Sequence, residues 1–413
     1  MSDNLSFQDL YADSVACLGK SDKISEATRA KIKMLQEQKD KILSVNATKC
    51  SESRGRIVRE DDGDVRNCFE RDMGRIIYSQ AFRRLKHKTQ VFFNPANDHI
   101  CSRLEHVIYV DYIASTIGSA LNLNVDLIRA IALGHDIGHT PFGHSGERVL
   151  NRKLKEIDPK LYFEHESNGL RVLNILEKHN DDFGLNLTFE VRDGIISHCG
   201  EYYDERKLVP CKDKTEEDLS YLIPKKFRKG PATMEGCVVR FADKIAYVGR
   251  DIEDALRTGV IASEFDVPVV TDGVGSSNSE IINFLVQDII ENSIDKGCIM
   301  MSDHAGDALE HTLNENVAKI YTARNVKTYE KYCDVMLEGL FDAYYEAVKN
   351  LEKAEDSKSS SIRKFAEFVK NHPEYKAGID TPLPIYVSDY IAGMTDRYAV
   401  EQYQKLFDPA ILP

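Results

Sequence analysis

The sequence lacks the features that mark membrane proteins, secreted proteins and thiolate metal sites. Its longest apolar runs fall well short of the roughly 18 residues that a membrane span requires, and its first ten residues lack the basic and apolar regions of a secretory leader. Nine cysteines occur without a single CxxC pair, which favours reduced thiols over a disulfide framework. We therefore expect a cytoplasmic protein with no signal peptide and no membrane segment.

The sequence also lacks a net positive charge, internal repeats and an alternation of strand and helix patterns. Its net charge of -13 argues against broad electrostatic binding to nucleic acid, although a local basic patch remains compatible with it. What is present is 413 residues with 42% hydrophobic and 29% charged side chains, which is enough for a substantial buried core.

Helical periodicity dominates the chain. Helices are predicted at about 24–43, 66–85, 102–121, 124–133, 147–155, 166–178, 189–198, 235–258, 280–370 and 387–406, with a turn at 94–98, an irregular insertion at 199–235 and a loop at 267–278. We predict an all-α fold in three parts: a helical extension at 1–60, a core at 61–260, and a C-terminal helical region at 261–413 that packs on the core.

Residues 134–147, here called the histidine-rich stretch, carry the densest chemistry. His135, Asp136, His139, His144 and Glu147 fall within fourteen positions that are spaced by glycines and one proline. Imidazole with carboxylate suits a divalent transition metal and leaves coordination positions open. Because adjacent helix positions diverge, His135 and Asp136 can reach one metal only at a helix end or distortion, which Gly134 and Gly138 would permit.

Two further polar residues interrupt apolar helical surfaces. His106 is predicted mid-helix, where a core histidine with satisfied ring nitrogens is the simpler explanation. Asp243 is embedded in another apolar helix, where an unpaired carboxylate is costly and Lys244 or Arg240 could neutralise it. Together with His135 and Asp136, these residues form a set of two histidines and two aspartates that could hold one metal.

An ordered series of motifs now resembles the HD-domain deoxynucleoside triphosphate triphosphohydrolases, specifically the bacterial dGTPase-like branch. The matching segments are 69–72, 79–85, 88–91, 103–106, 135–147, 163–168, 240–247 and 389–396. An HD dyad alone says little about substrate, but this extended series is specific and spans most of the chain. The resemblance implies the HD helical fold with additional N- and C-terminal helices.

The resemblance also implies a role for individual residues. It assigns the metal to His106, His135, Asp136 and Asp243, and the catalytic histidine–acid pair to His144 and Glu147. The residues it places at the phosphates are His139, His165, Arg103 and Lys244, and those at the sugar are Gln90, Tyr247 and Asp251. From the residues alone, Tyr247 would be a core-edge tyrosine and Asp251 a partner of Arg250 or Lys244.

The implied reaction is hydrolysis of dGTP, or of other dNTPs, to deoxynucleoside and tripolyphosphate. An activated water attacks the α-phosphorus, cations that include Arg103, Lys244 and protonated His139 or His165 offset the phosphate charge, and His144 protonates the leaving 5′-oxygen. One divalent metal per site is expected, Mn²⁺ or Mg²⁺ before Fe²⁺, Co²⁺, Ni²⁺ or Zn²⁺. The family generally forms oligomers, so a dimer-based assembly such as a hexamer is expected.

Two alternatives stay open at this point. The first is another HD-type nucleotidase or phosphodiesterase, which would share the metal set but would not need segments 66–91 and 389–396. The second is a non-catalytic nucleotide or single-stranded DNA sensor that uses the basic clusters at 83–88 and 225–229. Regulation by single-stranded DNA or by a dNTP also remains open, as do base preference and the role of segment 389–396.

Overall fold

The fold is all-α, as predicted. The computed structural model describes residues 24–60, 65–92, 99–179, 182–199, 204–260, 275 and 277–407; the predicted turn at 94–98 and most of the loop at 267–278 lie outside them. The first nine helices are α1 (Glu26–Ile42), α2 (Cys68–Tyr78), α3 (Gln80–Arg84), α4 (Arg103–Ala120), α5 (Val125–Gly134), α6 (His144–Ile157), α7 (His165–Arg171), α8 (Phe189–Ser197) and α9 (Met234–Arg257).

The second half of the chain continues in the same manner. Its helices are α10 (Asn278–Ser293), α11 (Asp303–Asn316), α12 (Arg324–Val348), α13 (Leu351–Glu355), α14 (Ser360–Asn371), α15 (Pro373–Lys376), α16 (Leu383–Ala392) and α17 (Asp396–Phe407). Strands β1 (Lys178–His179) and β2 (Asp182–Phe183) form one small antiparallel ladder, and β3 (Lys207–Leu208) pairs with β4 (Ile299–Met300) in another. No helix in the described part of the chain has the length and apolar character needed to cross a membrane.

Two apolar cores organise these helices. The larger core is built on α4, α5 and α9, against which α2, α8 and α10 pack. The second core joins α6 to the C-terminal helices α12, α14, α16 and α17. Because α6 begins at His144, the second core supports one side of the histidine-rich stretch while the first core supports the other. The three-part division predicted from the sequence stays a prediction.

The prediction of a single helix over 66–85 is wrong, because one helix ends at Tyr78 and a second begins at Gln80. The Ser79 hydroxyl accepts a hydrogen bond from Phe82 N, which starts a new helix there, and donates one to Ile76 O, which ends the preceding helix. Glu177 accepts from the amides of Gln80 and Ala81 and reinforces the break. Side-chain capping therefore overrides an apolar periodicity that continues across the junction.

The other predicted helices need smaller corrections. The closing helix predicted over 387–406 divides at Gly393 into α16 and α17, and the region 280–370 contains β4 and several helix ends. The helix predicted over 166–178 ends at Arg171 and continues as a π-helical turn, Val172–Leu176. The irregular character expected for 199–235 holds for its described residues, which contain short 3₁₀ turns and β3.

A buried ion-pair network joins the two cores. The Arg171 guanidinium on α7 donates to Asp389 of α16 at 2.8 and 2.9 Å and to Glu374 of α15 at 2.5 and 3.1 Å. His372 Nε2 lies 3.1 Å from the same Asp389 carboxylate. All four side chains are buried. Because both carboxylates are buried away from water, their negative charges must be compensated by the positive charge of the Arg171 guanidinium.

Replacing Arg171 by Leu is expected to destabilise the chain by about 3–5 kcal/mol, because it leaves Asp389 and Glu374 buried without their cation. Urea unfolding of the full chain measures the change. The matched control is Arg152→Leu, which removes the Arg152–Glu338 pair on the exposed surface and is expected to cost at most about 1 kcal/mol. Equal losses in the two variants would contradict the importance assigned to the buried network.

Candidate metal centre

Helix α4 supplies the first wall of the site. Ser102 and Glu105 form a reciprocal capping box at its N-terminus, which fixes where the first turn begins. Arg103 and His106 are one turn apart and therefore lie on the same face, and both are buried. Arg103 Nη1 donates to Asp136 Oδ2 at 2.7 Å, so α4 places one cation and one imidazole against the histidine-rich stretch.

Helix α5 ends at Gly134, which is the helix end that the His135–Asp136 pair needs in order to converge. His135 Nδ1 donates to Ala132 O at 2.6 Å, because a carbonyl oxygen can only accept. This contact leaves His135 Nε2 as a lone-pair acceptor, and that atom is buried with no hydrogen-bond partner. It lies 3.6 Å from Asp136 Oδ1 and 3.7 Å from Asp243 Oδ1.

Asp243 on α9 completes the cluster. Its Oδ1 accepts a hydrogen bond from His106 Nε2 at 2.9 Å. The alternative in which Lys244 or Arg240 neutralises Asp243 is not what the structure shows, since both cations pair with Glu205 at 2.9 and 2.6 Å. Burial alone would raise the pKa of Asp243, but the hydrogen bond from His106 and the neighbouring His135 imidazole outweigh it and hold the pKa well below 3.8.

Asp136 is ionised for comparable reasons. Burial raises the pKa of its carboxyl, but His139, Arg103 and His135 together hold that pKa well below its usual value. The cluster thus offers two carboxylates and two imidazoles, one of which has an unpartnered nitrogen directed at the carboxylates. This donor set fits one divalent cation of the Mn²⁺, Fe²⁺, Co²⁺ or Zn²⁺ type, which would replace the proton shared by His106 and Asp243.

The other half of the histidine-rich stretch forms an acid–base group beside this cluster. Glu147 lies in the first turn of α6, where its carboxylate receives His144 Nδ1 at 3.1 Å and His165 Nδ1 at 3.0 Å. The His144 side chain is 61% exposed, whereas His165 is buried. Because Nδ1 of His144 is held by Glu147, its Nε2 is the atom available to a ligand.

His139 and His165 stack with ring centroids 3.9 Å apart. Burial and the neighbouring Arg103 hold the pKa of His139 well below its usual value. Burial also lowers the pKa of His165, but Glu166 and Glu147 outweigh it and raise that pKa well above 6.5. The resemblance implies that either His139 or His165 is protonated at the phosphates. These pKa directions assign the positive charge to His165.

The close approach of the two histidines depends on Gly138. A Cβ built on Gly138 would lie 1.9 Å from the carbonyl oxygen of His165 and 2.2 Å from the amide nitrogen of Gly169. No side chain fits there, so α7 packs directly on the backbone between Asp136 and His139. The glycine that the sequence suggested as a source of backbone freedom acts instead through this backbone contact.

The predicted sugar contacts lie along α9 and at the end of the 79–90 segment. Asp243, Tyr247 and Asp251 occupy one stripe of α9, as their i, i+4, i+8 spacing requires. Asp251 accepts from the Tyr321 hydroxyl rather than pairing with Arg250 or Lys244, and burial raises its pKa to about 7. Gln90 Oε1 is buried with no hydrogen-bond partner, as expected of an atom that awaits a ligand.

Segment 389–396, to which the sequence assigned no chemical role, supports the backbone around the site through hydrogen bonds. Asp396 accepts hydrogen bonds from Thr89 N at 2.9 Å and Phe142 N at 3.0 Å, which are the amides just before Gln90 and Gly143. Lys88 Nζ donates to His139 O and, at 2.7 Å, to Ala392 O. Phe142 and Gly143 both have positive φ, so this turn is strained and requires such support.

Sequence reasoning also missed three residues at the site. His198, at the end of α8, lies with its ring centroid 5.0 Å from that of His135. Cys199 Sγ contacts both His198 and His165, and Glu166 is buried beside them. The concentration of nine of the 12 histidines between His87 and His198 was the available signal.

The two basic clusters of the sensor hypothesis are partly occupied by internal contacts. In the first, Lys88 is buried and Arg84 pairs with Glu177 at 3.2 Å. In the second, Lys225 lies 2.8 Å from Glu166 and Arg228 2.5 Å from Glu164. Four of the cations in these clusters therefore have partners within the chain, which reduces the charge available to a nucleic-acid backbone.

Comparison with known proteins agrees with this geometry. A family model described as "HD domain" matches residues 103–248, and one described as "Phosphohydrolase-associated domain" matches residues 373–405. The first match includes His106, the histidine-rich stretch and Asp243, and the second includes Asp389 and Asp396. The two matched segments therefore contain the histidine–aspartate cluster and the segment that supports the neighbouring backbone.

Three relatives are similar over nearly their whole length, and each is named "Deoxyguanosinetriphosphate triphosphohydrolase-like protein". The one from Caldanaerobacter subterraneus is 39% identical over 91% of this chain and 95% of the relative. Those from Desulfatibacillum aliphaticivorans and Clostridium perfringens are each 38% identical, covering 89% and 87% of this chain and 95% and 92% of the relatives. This chain belongs to the HD-domain family of deoxyguanosinetriphosphate triphosphohydrolase-like proteins.

Proposed function

We propose that this chain is a metal-dependent dNTP triphosphohydrolase that converts dGTP, and other dNTPs if it accepts them, to deoxynucleoside and tripolyphosphate. The observation that carries the proposal is the proximity of two groups: a cluster of two histidines and two aspartates suited to a divalent cation, and the His144–Glu147 pair. His139 connects them, since its Nε2 lies 2.8 Å from Asp136 Oδ1 and its ring centroid lies 5.4 Å from that of His144. The relatives named for dGTP triphosphohydrolysis support the choice of substrate.

We assign His106, His135, Asp136 and Asp243 to the metal, and we propose Mn²⁺ or Mg²⁺ as its identity. A divalent ion bound there supplies Lewis acidity and positive charge next to the reacting phosphorus. The chain's own contribution is to keep both carboxylates ionised and to hold His135 in the tautomer with a free Nε2. Arg103 helps to keep the Asp136 carboxylate ionised by donating a hydrogen bond to it. Ala132 O fixes the tautomer of His135 by accepting a hydrogen bond from its Nδ1.

The phosphate chain of the substrate would lie along buried cations. His165 carries a proton and Arg103 a permanent charge, and both are fixed by carboxylates before substrate binds. Preorganised charge of this kind stabilises a transition state without reorganisation at the moment of reaction. Lys244 reaches the same region from α9 but is paired with Glu205, so a phosphate would have to share it with that carboxylate.

His144 is proposed as the acid that protonates the leaving 5′-oxygen after water attacks the α-phosphorus. Glu147 accepts a hydrogen bond from His144 Nδ1–H, which orients the ring so that the proton on Nε2 is the one delivered to the leaving oxygen. The exposure of His144 places that nitrogen where a substrate can reach it. His139 is neutral and donates to Asp136, so we propose that it positions the carboxylate and lines the phosphate path.

For the sugar we propose Gln90, Tyr247 and Asp251. The unpartnered Gln90 Oε1 can accept from a hydroxyl, and Asp251 can accept from the 3′-hydroxyl at the far end of the α9 stripe. Tyr247, one turn from Asp243 and one from Asp251, would lie against the deoxyribose and crowd a 2′-hydroxyl. Cytoplasmic location and a dimer-based oligomer stay predictions, as does control by single-stranded DNA or a dNTP.

Another HD-type nucleotidase or phosphodiesterase is the main competing assignment. It would use the same metal set, but it would not need the contacts by which Asp396 holds the Thr89 and Phe142 amides and Lys88 joins His139 O to Ala392 O. The substrate panel below distinguishes the two assignments.

The direct test incubates the purified chain with each of the four dNTPs and with GTP, in Mn²⁺ or Mg²⁺, and identifies the phosphorus products. We expect tripolyphosphate and deoxynucleoside in a one-to-one ratio, with dGTP the best substrate and GTP poor. Release of orthophosphate or pyrophosphate would overturn the assigned reaction. Hydrolysis of phosphodiesters or nucleoside monophosphates in preference to dNTPs would favour the competing assignment.

Replacing His144 by Ala is expected to lower kcat by roughly 10²–10⁴-fold, because the leaving oxygen loses its proton donor. Metal content, measured by atomic emission, should stay near that of the unmodified chain, since His144 is outside the ligand set. The matched control is His304→Ala, an exposed histidine on α11, which should keep full activity. A loss of metal as large as the loss of activity would show that His144 is a ligand instead.

Replacing Asp251 by Asn is expected to stabilise the fold more at high pH than at low pH. The pKa of the Asp251 carboxyl is about 7 in the folded chain and about 3.9 in the unfolded chain. Its contribution to the free energy of unfolding is therefore fully favourable only below the unfolded pKa. That contribution is lost as pH rises to the folded pKa. The stability gained by the variant should therefore grow by about 2 kcal/mol between roughly pH 5.5 and pH 8.5.

Chemical denaturation at the two pH values measures this gain. Glu253→Gln, on the same helix but partly exposed and paired with Arg250, serves as the control and should show no such change. A gain for Asp251→Asn that is the same at both pH values would contradict the burial of an ionisable group at this position.

A further inference from the structure

A second group of metal-ligating atoms lies directly behind the His144–Glu147 pair. Cys199 Sγ is 3.0 Å from His165 Nε2 and 3.1 Å from His198 Nε2. These three atoms all lie within 4.8 Å of one another. Both histidines are buried. His198 and Cys199 have no part in the reaction proposed above.

The ring tautomers direct two lone pairs at one sulfur. His198 Nδ1 lies 2.6 Å from Ile195 O and must carry a proton, since a carbonyl only accepts. His165 Nδ1 lies 3.0 Å from Glu147 Oε2 and carries a proton for the same reason. In the neutral imidazoles both Nε2 atoms are therefore acceptors, and both face Cys199 Sγ.

In the neutral tautomers a single thiol cannot satisfy both Nε2 atoms, because it has one proton to donate. The second nitrogen is satisfied either by the extra proton that His165 carries when no metal is bound or by a cation bound between the three atoms. Histidines whose Nδ1–H is held by a carbonyl or a carboxylate, with Nε2 directed at a common point, are arranged as metal-ligating histidines are. The anchors here are Ile195 O and Glu147.

We propose that His165, His198 and Cys199 form a second metal site that selects a thiophilic divalent cation, Zn²⁺, over Mg²⁺ and Mn²⁺. A thiolate is a soft donor and an imidazole nitrogen a borderline one, and this combination suits Zn²⁺ and disfavours the hard cations. The first cluster offers only nitrogen and oxygen, so the two sites differ in the metal they prefer. With three protein ligands, a fourth coordination position remains for water or another ligand.

Binding at this site exchanges protons for metal. A Zn–S bond forms as the S–H bond of Cys199 breaks, and the proton leaves to solvent. Two Zn–N bonds form with the Nε2 lone pairs, and any extra proton on His165 leaves in the same way. The Nδ1 protons stay with Ile195 O and Glu147. None of these steps requires hydrolysis, so metal binding alone tests the site. Because they neutralise His165, zinc bound here would remove a cation that the proposed function places at the phosphates.

Cobalt(II) titration of the full chain tests the proposal, because Co²⁺ bound to a thiolate gives a near-ultraviolet charge-transfer band and Co²⁺ bound by nitrogen and oxygen does not. We expect the band to appear as Co²⁺ is added, to disappear when Zn²⁺ is added, and to persist in excess Mg²⁺. Absence of the band in folded, Co²⁺-loaded protein would overturn the proposal, as would its displacement by Mg²⁺.

Four variants assign the band. Cys199→Ser should abolish it while retaining Co²⁺ at the first cluster, and His198→Gln should weaken Co²⁺ binding at this site by at least about tenfold. Asp243→Asn should impair the first cluster and keep the band. Cys211→Ser is the matched control, since that thiol contacts Asp213 rather than a histidine, and it should leave the band unchanged.

Circular dichroism of each variant establishes that it is folded. If Cys199→Ser does not fold, the tenfold loss in His198→Gln decides the question. A band that survives in Cys199→Ser would place the thiolate elsewhere and overturn the proposal.

Discussion

The constraint on which this structure depends is the placement of two ionised carboxylates, Asp136 and Asp243, against two imidazoles in a largely dry interior. Charge removed from water is costly unless other groups compensate it. Arg103 compensates part of the charge on Asp136, and His106 part of that on Asp243. The Nε2 of His135 is a buried acceptor with no hydrogen-bond partner, so the cluster offers a cation one free nitrogen beside two ionised carboxylates.

The rest of the chain can be understood as support for that placement. Helices α4, α5 and α9 form the larger core, and each places one or two residues of the histidine–aspartate cluster: His106 from α4, His135 and Asp136 from the end of α5, and Asp243 from α9. Helix α6 begins with the acid–base pair and continues into the second core, so packing among the C-terminal helices determines where His144 and Glu147 lie relative to the metal cluster. The Arg171 network and the Asp396 contacts then fix the second core against the first.

The helical class and the α9 stripe could be predicted from the sequence because both depend on local residue spacing. The grouping of His106, His135, Asp136 and Asp243 could be proposed from residue type and from the ordered series of motifs, and the structure brings these four side chains together. The break at Ser79 could not, since it depends on Glu177, which is remote in sequence and accepts from the amides that follow it. The partner of Asp243 was ambiguous because Lys244 is adjacent, and only the position of Glu205 resolves it. The second histidine group escaped prediction because His165 and Cys199 are 34 positions apart and meet only when α7 packs on α8.

The bracing by Asp396 has a consequence for how the site is made during protein synthesis. Asp396 is 254 positions after Phe142, in a helix that leaves the ribosome among the last. His106, His135, Asp136, Asp243, His144 and Glu147 are all synthesised well before it, yet the strained turn that leads to His144 lacks its support until α17 has folded back. The residues of the histidine–aspartate cluster are therefore available to a nascent chain early, whereas the turn before His144 is held in place only when the C-terminal helices dock.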